Sequence, residues 1–243
     1  MQRFLEQDEV VLDMNTGLIW IKNACLSDFP MTWNEAFTFI EELNHSELYG
    51  YDDWKLPNRR ELFSLMSHNA INPSLPHGHP FIYVFTGYYW TSTSCARLPN
   101  QAWYIHLGGA RVFKGMKYGS YMVWPVRIAD HLNNQGQVFK TGQRNCYDEN
   151  GNIVDCRNTG QDGEFQSGLQ SNQHRFIENT YTVHDIATNL TWLKSANYLS
   201  EMLDWKSAFD LIEKMNRDYK YGHNDWRLPS IVHLASFIQC MAN

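Results

Sequence analysis

The chain has 243 residues, enough for one large domain or two small ones. Its net charge of −6 argues against a nucleic-acid partner, and no apolar run approaches the length of a membrane-spanning helix. The N-terminal MQRFLEQDEVV lacks the apolar core of a signal peptide, which predicts either a chain that is not exported or the mature part of one that is.

Val10–Asp13 and Leu18–Ile21 flank a turn that ends in Gly17, and the pattern predicts a β-hairpin. Thr32 with Glu35 forms a capping box, and the helix that follows sets Trp33, Ala36, Phe37, Ile40 and Leu43 on one face. The stretch DDWKLPNRRE, Asp52–Glu61, carries a second capping box in Asn58 and Glu61, with Leu62, Leu65 and Met66 as the apolar side of a second helix. His68–Gly87, rich in Pro, Gly and His, predicts a long surface loop. Tyr88–Ser94, Gln101–Leu107, Arg111–Lys114 and Met122–Ile128 then predict four antiparallel strands forming a sheet.

Much of this recurs. An offset of 172 residues aligns Arg3-Phe4 with Arg175-Phe176, Trp20 with Trp192, Trp33 with Trp205, Asn44 with Asn216 and Trp54 with Trp226, without a gap as far as Met66. Over those 64 positions 24 are identical, too many for chance. Asn189 replaces Gly17 at the hairpin turn, and Asn tolerates the same positive φ. The second copy holds no counterpart of 72–128. We therefore expect a complete first copy over 1–128, a polar connector over 129–174 and the first half of a second copy over 175–243. The fold class is α+β: a terminal hairpin, two helices and an antiparallel sheet, duplicated with the second copy incomplete.

The connector is rich in Asn, Gln, Gly and Asp and cannot bury a core alone. Inside it Asn150-Gly151 is a strong hairpin signal, and a loop of Asn150–Asn152 would set Cys146 and Cys156 opposite each other. A TGQ triplet flanks this unit on each side, at Thr141–Gln143 and Thr159–Gln161. Five Cys is an odd count, so at least one thiol stays free or pairs between chains.

VLDMNTGLIWIK, the W-x-x-A helix start at Trp33, DDWKLPNRREL, YYWTSTS, AWYIHL and the closing VWPVR together resemble the Lcl C-terminal domain family, named for a Legionella collagen-like adhesin. TGQ…CYD…C…TGQDG also resembles the segment that commonly precedes a copy of this domain. The resemblance implies a C-type-lectin-like fold, often exported or surface-attached and used for binding; for the namesake it implies attachment to sulfated glycosaminoglycans. It places the chain outside the cell, at the cell surface or in the periplasm. Together with the symmetry about Gly151, it implies a Cys146–Cys156 disulfide.

A binding surface for sulfated glycans needs cations, and Arg97, Arg111, Lys114 and Lys117 all fall in the second half of copy one. With Asn100, Tyr118 and Tyr121 they form the candidate ligand-binding set, carried on the loops Cys95–Asn100 and Gly115–Tyr121 beside His68–Gly87. The partner expected is a glycan or a protein, with no nucleic acid, no membrane insertion and self-association through the half copy. Trp20, Trp33 and Trp54 recur in copy two at patterned positions, which marks them as core rather than as sugar platforms.

The alternatives are a structural or assembly protein, in which the half copy docks with a partner, and an oxidative enzyme, because Lys55-Leu56-Pro57-Asn58 also resembles the R-L-P-T-E-x-E-W segment of the formylglycine-generating and sulfoxide-synthase group. That group uses a paired-thiol copper site or a histidine-rich iron site, whereas Cys25 and Cys95 lie far apart in sequence. His68, His77, His79 and His106 show neither zinc-finger nor H-E-x-x-H spacing. Asp148-x-Asn150-x-Asn152 begins like a calcium loop, but Ile153 replaces the required Gly and Thr159 the closing Glu. No catalytic residue, metal or cofactor is therefore expected.

Overall fold

A computed structural model describes residues 2–129, 138–170, 175–199 and 201–237, which fall in two compact units, Met1–Gln170 and Ser171–Asn243. Both mix helices with antiparallel strands.

In unit 1 the strands β1 (Phe4–Gln7), β2 (Val10–Asp13) and β3 (Leu18–Ile21) form the predicted hairpin extended by one strand at its edge. Helix α1 (Trp33–His45) starts on the Thr32–Glu35 capping box and buries Trp33, Ala36, Ile40 and Leu43. Helix α2 (Arg59–Ser64) starts on Asn58, whose side chain accepts from the Arg60 and Glu61 amides while Glu61 accepts from the Asn58 amide at 2.7 Å. The other Glu61 oxygen takes Lys55 Nζ at 2.5 Å, and both partners are buried.

The four later strands are β4 (Tyr88–Cys95), β5 (Leu98–His106), β6 (Arg111–Met116) and β7 (Val126–Ile128). They do not make the single sheet expected. β4, β5 and β6 pair with one another, while β7 crosses to the hairpin and completes the order β1-β2-β3-β7. Residues 121–128 lace the parts together. Tyr121 exchanges amide bonds with Met31, Met122 pairs with β4, and Val126 pairs with Trp20 on one side and with the Lys55 backbone, at 2.9 and 3.0 Å, on the other.

This lacing explains the uninterrupted apolar run Leu18–Ile21. Successive strand residues point to opposite faces, and β3 is covered on both. Leu18 and Trp20 join a cluster with Val11, Leu62, Tyr89, Ile105 and Trp124; Ile19 and Ile21 join another with Trp33, Ile40, Trp54 and Trp90. The patterned Trp side chains are core; Trp33 donates its indole N–H to Thr91 O at 2.8 Å and Trp54 to Leu48 O at 3.0 Å, while the buried Trp20 indole N–H has no partner among the described residues.

The connector is not a separate linker, because its described part, 138–170, belongs to unit 1. Too polar to make a core, it is held by hydrogen bonds. The Gln of each TGQ grips a backbone at both polar groups. Gln143 accepts from the Ser94 amide and donates to its carbonyl, each at 2.9 Å; Gln161 does the same at Tyr147 at 2.9 and 3.1 Å. Asp162, in the short helix α3 (Asp162–Phe165), is fully buried and accepts from the hydroxyls of Thr93 and Thr141. Cys146 and Cys156 form the expected disulfide. The register differs from expectation. β8 (Cys146–Tyr147) and β9 (Ile153–Val154) pair Cys146 with Val154, so the loop is Glu149–Gly151 and the bridge runs diagonally. The cause is Asp148, whose carboxylate accepts from the Asn150 and Asn152 amides and draws the loop back by one residue.

Unit 2 repeats the first half of unit 1. β10 (Phe176–Glu178), β11 (Thr182–Asp185) and β12 (Leu190–Leu193) form a three-stranded sheet, followed by α4 (Trp205–Arg217) and α5 (Ile231–Phe237). Asn189 takes φ +54°, where Gly17 has +67°.

Candidate functional site

The sheet β4-β5-β6 presents one face to the core through the register row Tyr89, Ile105, Val112. Alternation sends the next residues to the other face. There two rows lie across the three strands: Tyr88, His106 and Arg111, then Trp90, Tyr104 and Phe113. Tyr121 packs tilted or edge-on among them, 4.4 Å from Trp90, 4.5 Å from Tyr104 and 5.3 Å from Tyr88 by ring centroids. Tyr88 contacts Tyr104 at 5.0 Å and His106 at 4.8 Å, and the Arg111 guanidinium lies 5.7 Å from the Phe113 ring. The result is one continuous aromatic layer. Trp90 is its buried floor, anchored by its indole N–H on Met31 O at 2.9 Å, and Tyr88 and Phe113 are its exposed rim.

Small residues create the room for it. Gly115 pairs with Ala102, and a Cβ at Gly115 would fall 2.9 Å from both the Tyr104 ring and the Tyr121 hydroxyl. A side chain there would push the two phenols apart.

Burial, reinforced by the neighbouring phenols of Tyr121 and Tyr88, pushes Tyr104 up to about 12. Burial and then the Arg111 charge hold His106 below the usual imidazole range. His106 Nδ1 has no hydrogen-bond partner among the described residues. The face therefore offers flat apolar rings, neutral hydroxyl and imidazole groups able to donate or accept, and the fixed charge of Arg111.

Of the residues expected to bind, Arg111 and Tyr121 belong to this layer. Arg97 stands exposed in the β4–β5 turn, at the far end of β5 from His106 and Arg111, roughly 25 Å along the strand. Lys114 is exposed on the opposite face, across from Trp103, against whose ring Arg59 packs at 4.7 Å. Tyr118 is 74% exposed in the turn after β6. Asn100 lies under the connector hairpin, where Gly151 packs on its amide. Lys117 points inward: its ammonium sits 3.9 Å above the Trp33 ring and donates to the carbonyls of Tyr147 and Asp148. Burial pulls its pKa down to about 8, with Asp148 opposing. The four cations thus form no common patch, because strand alternation and strand length separate them.

Tyr88, Tyr104, His106 and Phe113 were not foreseen. Their signal was present as the pairs Tyr88/Trp90, Tyr104/His106 and Arg111/Phe113, each two residues apart, but it becomes legible only once the three strands are set in register. Among the described residues, no group of three or more His, Cys, Asp or Glu side chains is placed to hold a metal ion.

No curated protein matches the chain. The family model of the Lcl C-terminal domain matches twice, over residues 9–127 and 181–243, one complete copy and one partial copy. The chain belongs to the Lcl C-terminal domain family.

Proposed function

We propose that the chain is a non-enzymatic binding module of lectin-like fold that works outside the cell, as an adhesin does. The outer face of β4-β5-β6 takes a glycan or an exposed protein surface. The observation that carries this reading is the aromatic layer rimmed by Tyr88, Phe113 and Arg111. Tyr, other aromatics and Arg dominate the energetics of binding surfaces because each couples a large flat area to a polar end. A neutral layer with one guanidinium suits a saccharide of low charge better than a densely sulfated one. The Cys146–Cys156 bridge supports an oxidising compartment, and no described helix is long and apolar enough to cross a membrane. Binding is favoured over oxidative chemistry because the two free thiols among the described residues are separately embedded: Cys25 packs beside one core cluster and Cys95 is buried at the end of β4.

The test is a glycan array probed with the full chain, followed by titration of the best hit. The double variant Arg111→Ala, Phe113→Ala is expected to lose about tenfold or more in affinity, the loss of roughly 1.4 kcal/mol or more typical of a hot spot. Its melting temperature should stay within about 2 °C. Undiminished binding by a folded double variant would remove the ligand from this face.

A further inference from the structure

We infer that the outer face of β4-β5-β6 takes a saccharide carrying a single carboxylate, with both carboxylate oxygens on the Arg111 guanidinium and the sugar ring against Tyr88 and Phe113. This deepens, and rests on, the reading of that face as the binding surface. The observation behind it is where the chain puts its acids. None of its 26 Asp and Glu residues falls in 62–129, the stretch that carries β4 to β7, although the net charge of the chain is −6. Arg97, Arg111, Lys114, Lys117 and Arg127 all lie in that stretch.

Four of these cations are paired or turned away from the aromatic layer. Lys117 donates to the Tyr147 and Asp148 carbonyls, and Arg127 pairs with Asp53. Arg97 stands in the turn at the far end of β5, and Lys114 lies on the opposite face. Arg111 remains. It is exposed on the layer, 5.7 Å from the Phe113 ring, and its side chain has no ion pair or hydrogen bond among the described residues. A guanidinium left without an acid from its own half of the fold is open to an anion from outside, and a planar carboxylate meets its fork through two parallel bonds.

One anionic group is all the face can match. Burial and then the Arg111 charge hold His106, its register partner, below the usual imidazole range, so the row Tyr88, His106, Arg111 offers one charge and two neutral groups. Adjacent strands lie about 4.8 Å apart, which makes that row about 10 Å long, room for one pyranose with its carboxylate at Arg111 and its hydroxyls at His106 and Tyr88. The exposed rings of Tyr88 and Phe113 favour a sugar over an Asp or Glu side chain, which brings a carboxylate but no flat C–H face to lie on them.

The probes are three sugars that differ only at the exocyclic carbon: a methyl glucoside, the corresponding glucuronide and the corresponding primary sulfate ester, each titrated into the full chain by NMR. The glucuronide should bind about tenfold tighter than the neutral glucoside, the difference between a charge-assisted and a neutral hydrogen-bond pair, and tighter than the sulfate ester. Arg111→Gln should bring the glucuronide level with the glucoside, whereas Lys114→Gln, on the opposite face, should leave the preference intact. Equal affinities, preference for the sulfate ester, or no binding of any of the three would overturn the carboxylate assignment. So would a preference that survives Arg111→Gln or disappears with Lys114→Gln. Phe113→Ala separates this from the reading beneath it. If all three sugars bind alike and all weaken with Phe113→Ala, the face binds and the carboxylate assignment alone falls; if Phe113→Ala changes none of them, the ligand sits elsewhere and both fall.

Discussion

Units 1 and 2 share a hydrogen-bond framework and differ in what covers it. Arg3 pairs with Asp13 and reaches Ser64 O; Arg175 pairs with Asp185 and reaches Ser236 O. Asn44 holds the backbone of Trp54 at 2.7 and 2.9 Å, and Asn216 that of Trp226 at 2.8 and 2.9 Å. Even the helix starts correspond: Ser230 and His233 exchange amide bonds where Asn58 and Glu61 do, an imidazole standing in for a carboxylate. Burial parts company. Trp33 is fully buried while Trp205 is 77% exposed, and Ile40 is buried while Ile212 is only half-buried. The lesson is that contacts within a first half hold its shape, while the β4–β7 half determines how much of its apolar surface leaves water.

That contrast can be broken where it is largest. Lys55→Ala would strand a buried Glu61 carboxylate and should cost unit 1 about 3–5 kcal/mol. Arg227→Ala, at an exposed position, should cost unit 2 under about 0.5 kcal/mol. Urea unfolding followed by hydrogen exchange on each unit reads both. Trp33→Ala should likewise cost about 3–5 kcal/mol through the cavity and the lost indole bond to Thr91, whereas Trp205→Ala should be nearly neutral. Equal losses at the two tryptophans would mean that unit 2 is covered after all.

A pH titration sharpens the contrast, because the group responsible lies only in unit 1. Burial raises the Asp162 carboxyl from 3.8 to about 6, with Glu61 adding to the rise and the hydroxyls of Thr141 and Thr93 opposing it. The folded state thus binds this proton more tightly than the unfolded chain. The contribution is absent above pH 6 and grows as pH falls toward 3.8. Between pH 7 and pH 5 it should strengthen unit 1 by about 1 kcal/mol relative to an Asp162→Asn variant, measured by denaturant midpoints. A steeper gain in the variant would reverse the assignment. The smallest effect should be shared. Thr32→Ala and Asp204→Ala each remove a helix cap and should each cost about 1 kcal/mol, since a cap is a local matter that coverage does not alter.

What was legible in the sequence was local or repeated: the hairpin turn at Gly17, the Thr32 and Asn58 caps, the duplicated framework and the disulfide pair. What was not legible depended on non-local pairing. Nothing in Val126–Ile128 says that its neighbour is β3 rather than β4, because a short apolar strand fits either edge. Lys117 reads as a surface cation until Trp33 and the Tyr147 carbonyl are brought beside it. The Glu149–Gly151 loop was misplaced by one residue because its register depends on an Asp148 side chain competing for loop amides. The aromatic layer was half seen, through Arg111 and Tyr121, because its rows exist only across strands.

The two glutamine grips of the connector, Gln143 on Ser94 and Gln161 on Tyr147, carry no net charge. Exposed ion pairs fade once the Debye length shrinks from about 10 Å at 0.1 M to about 3 Å at 1 M salt. Carboxamide-to-backbone bonds have no such dependence. The Gln143 grip should therefore keep the connector fastened to β4, and the Gln161 grip keep the connector's own shape, in brine and in dilute buffer alike.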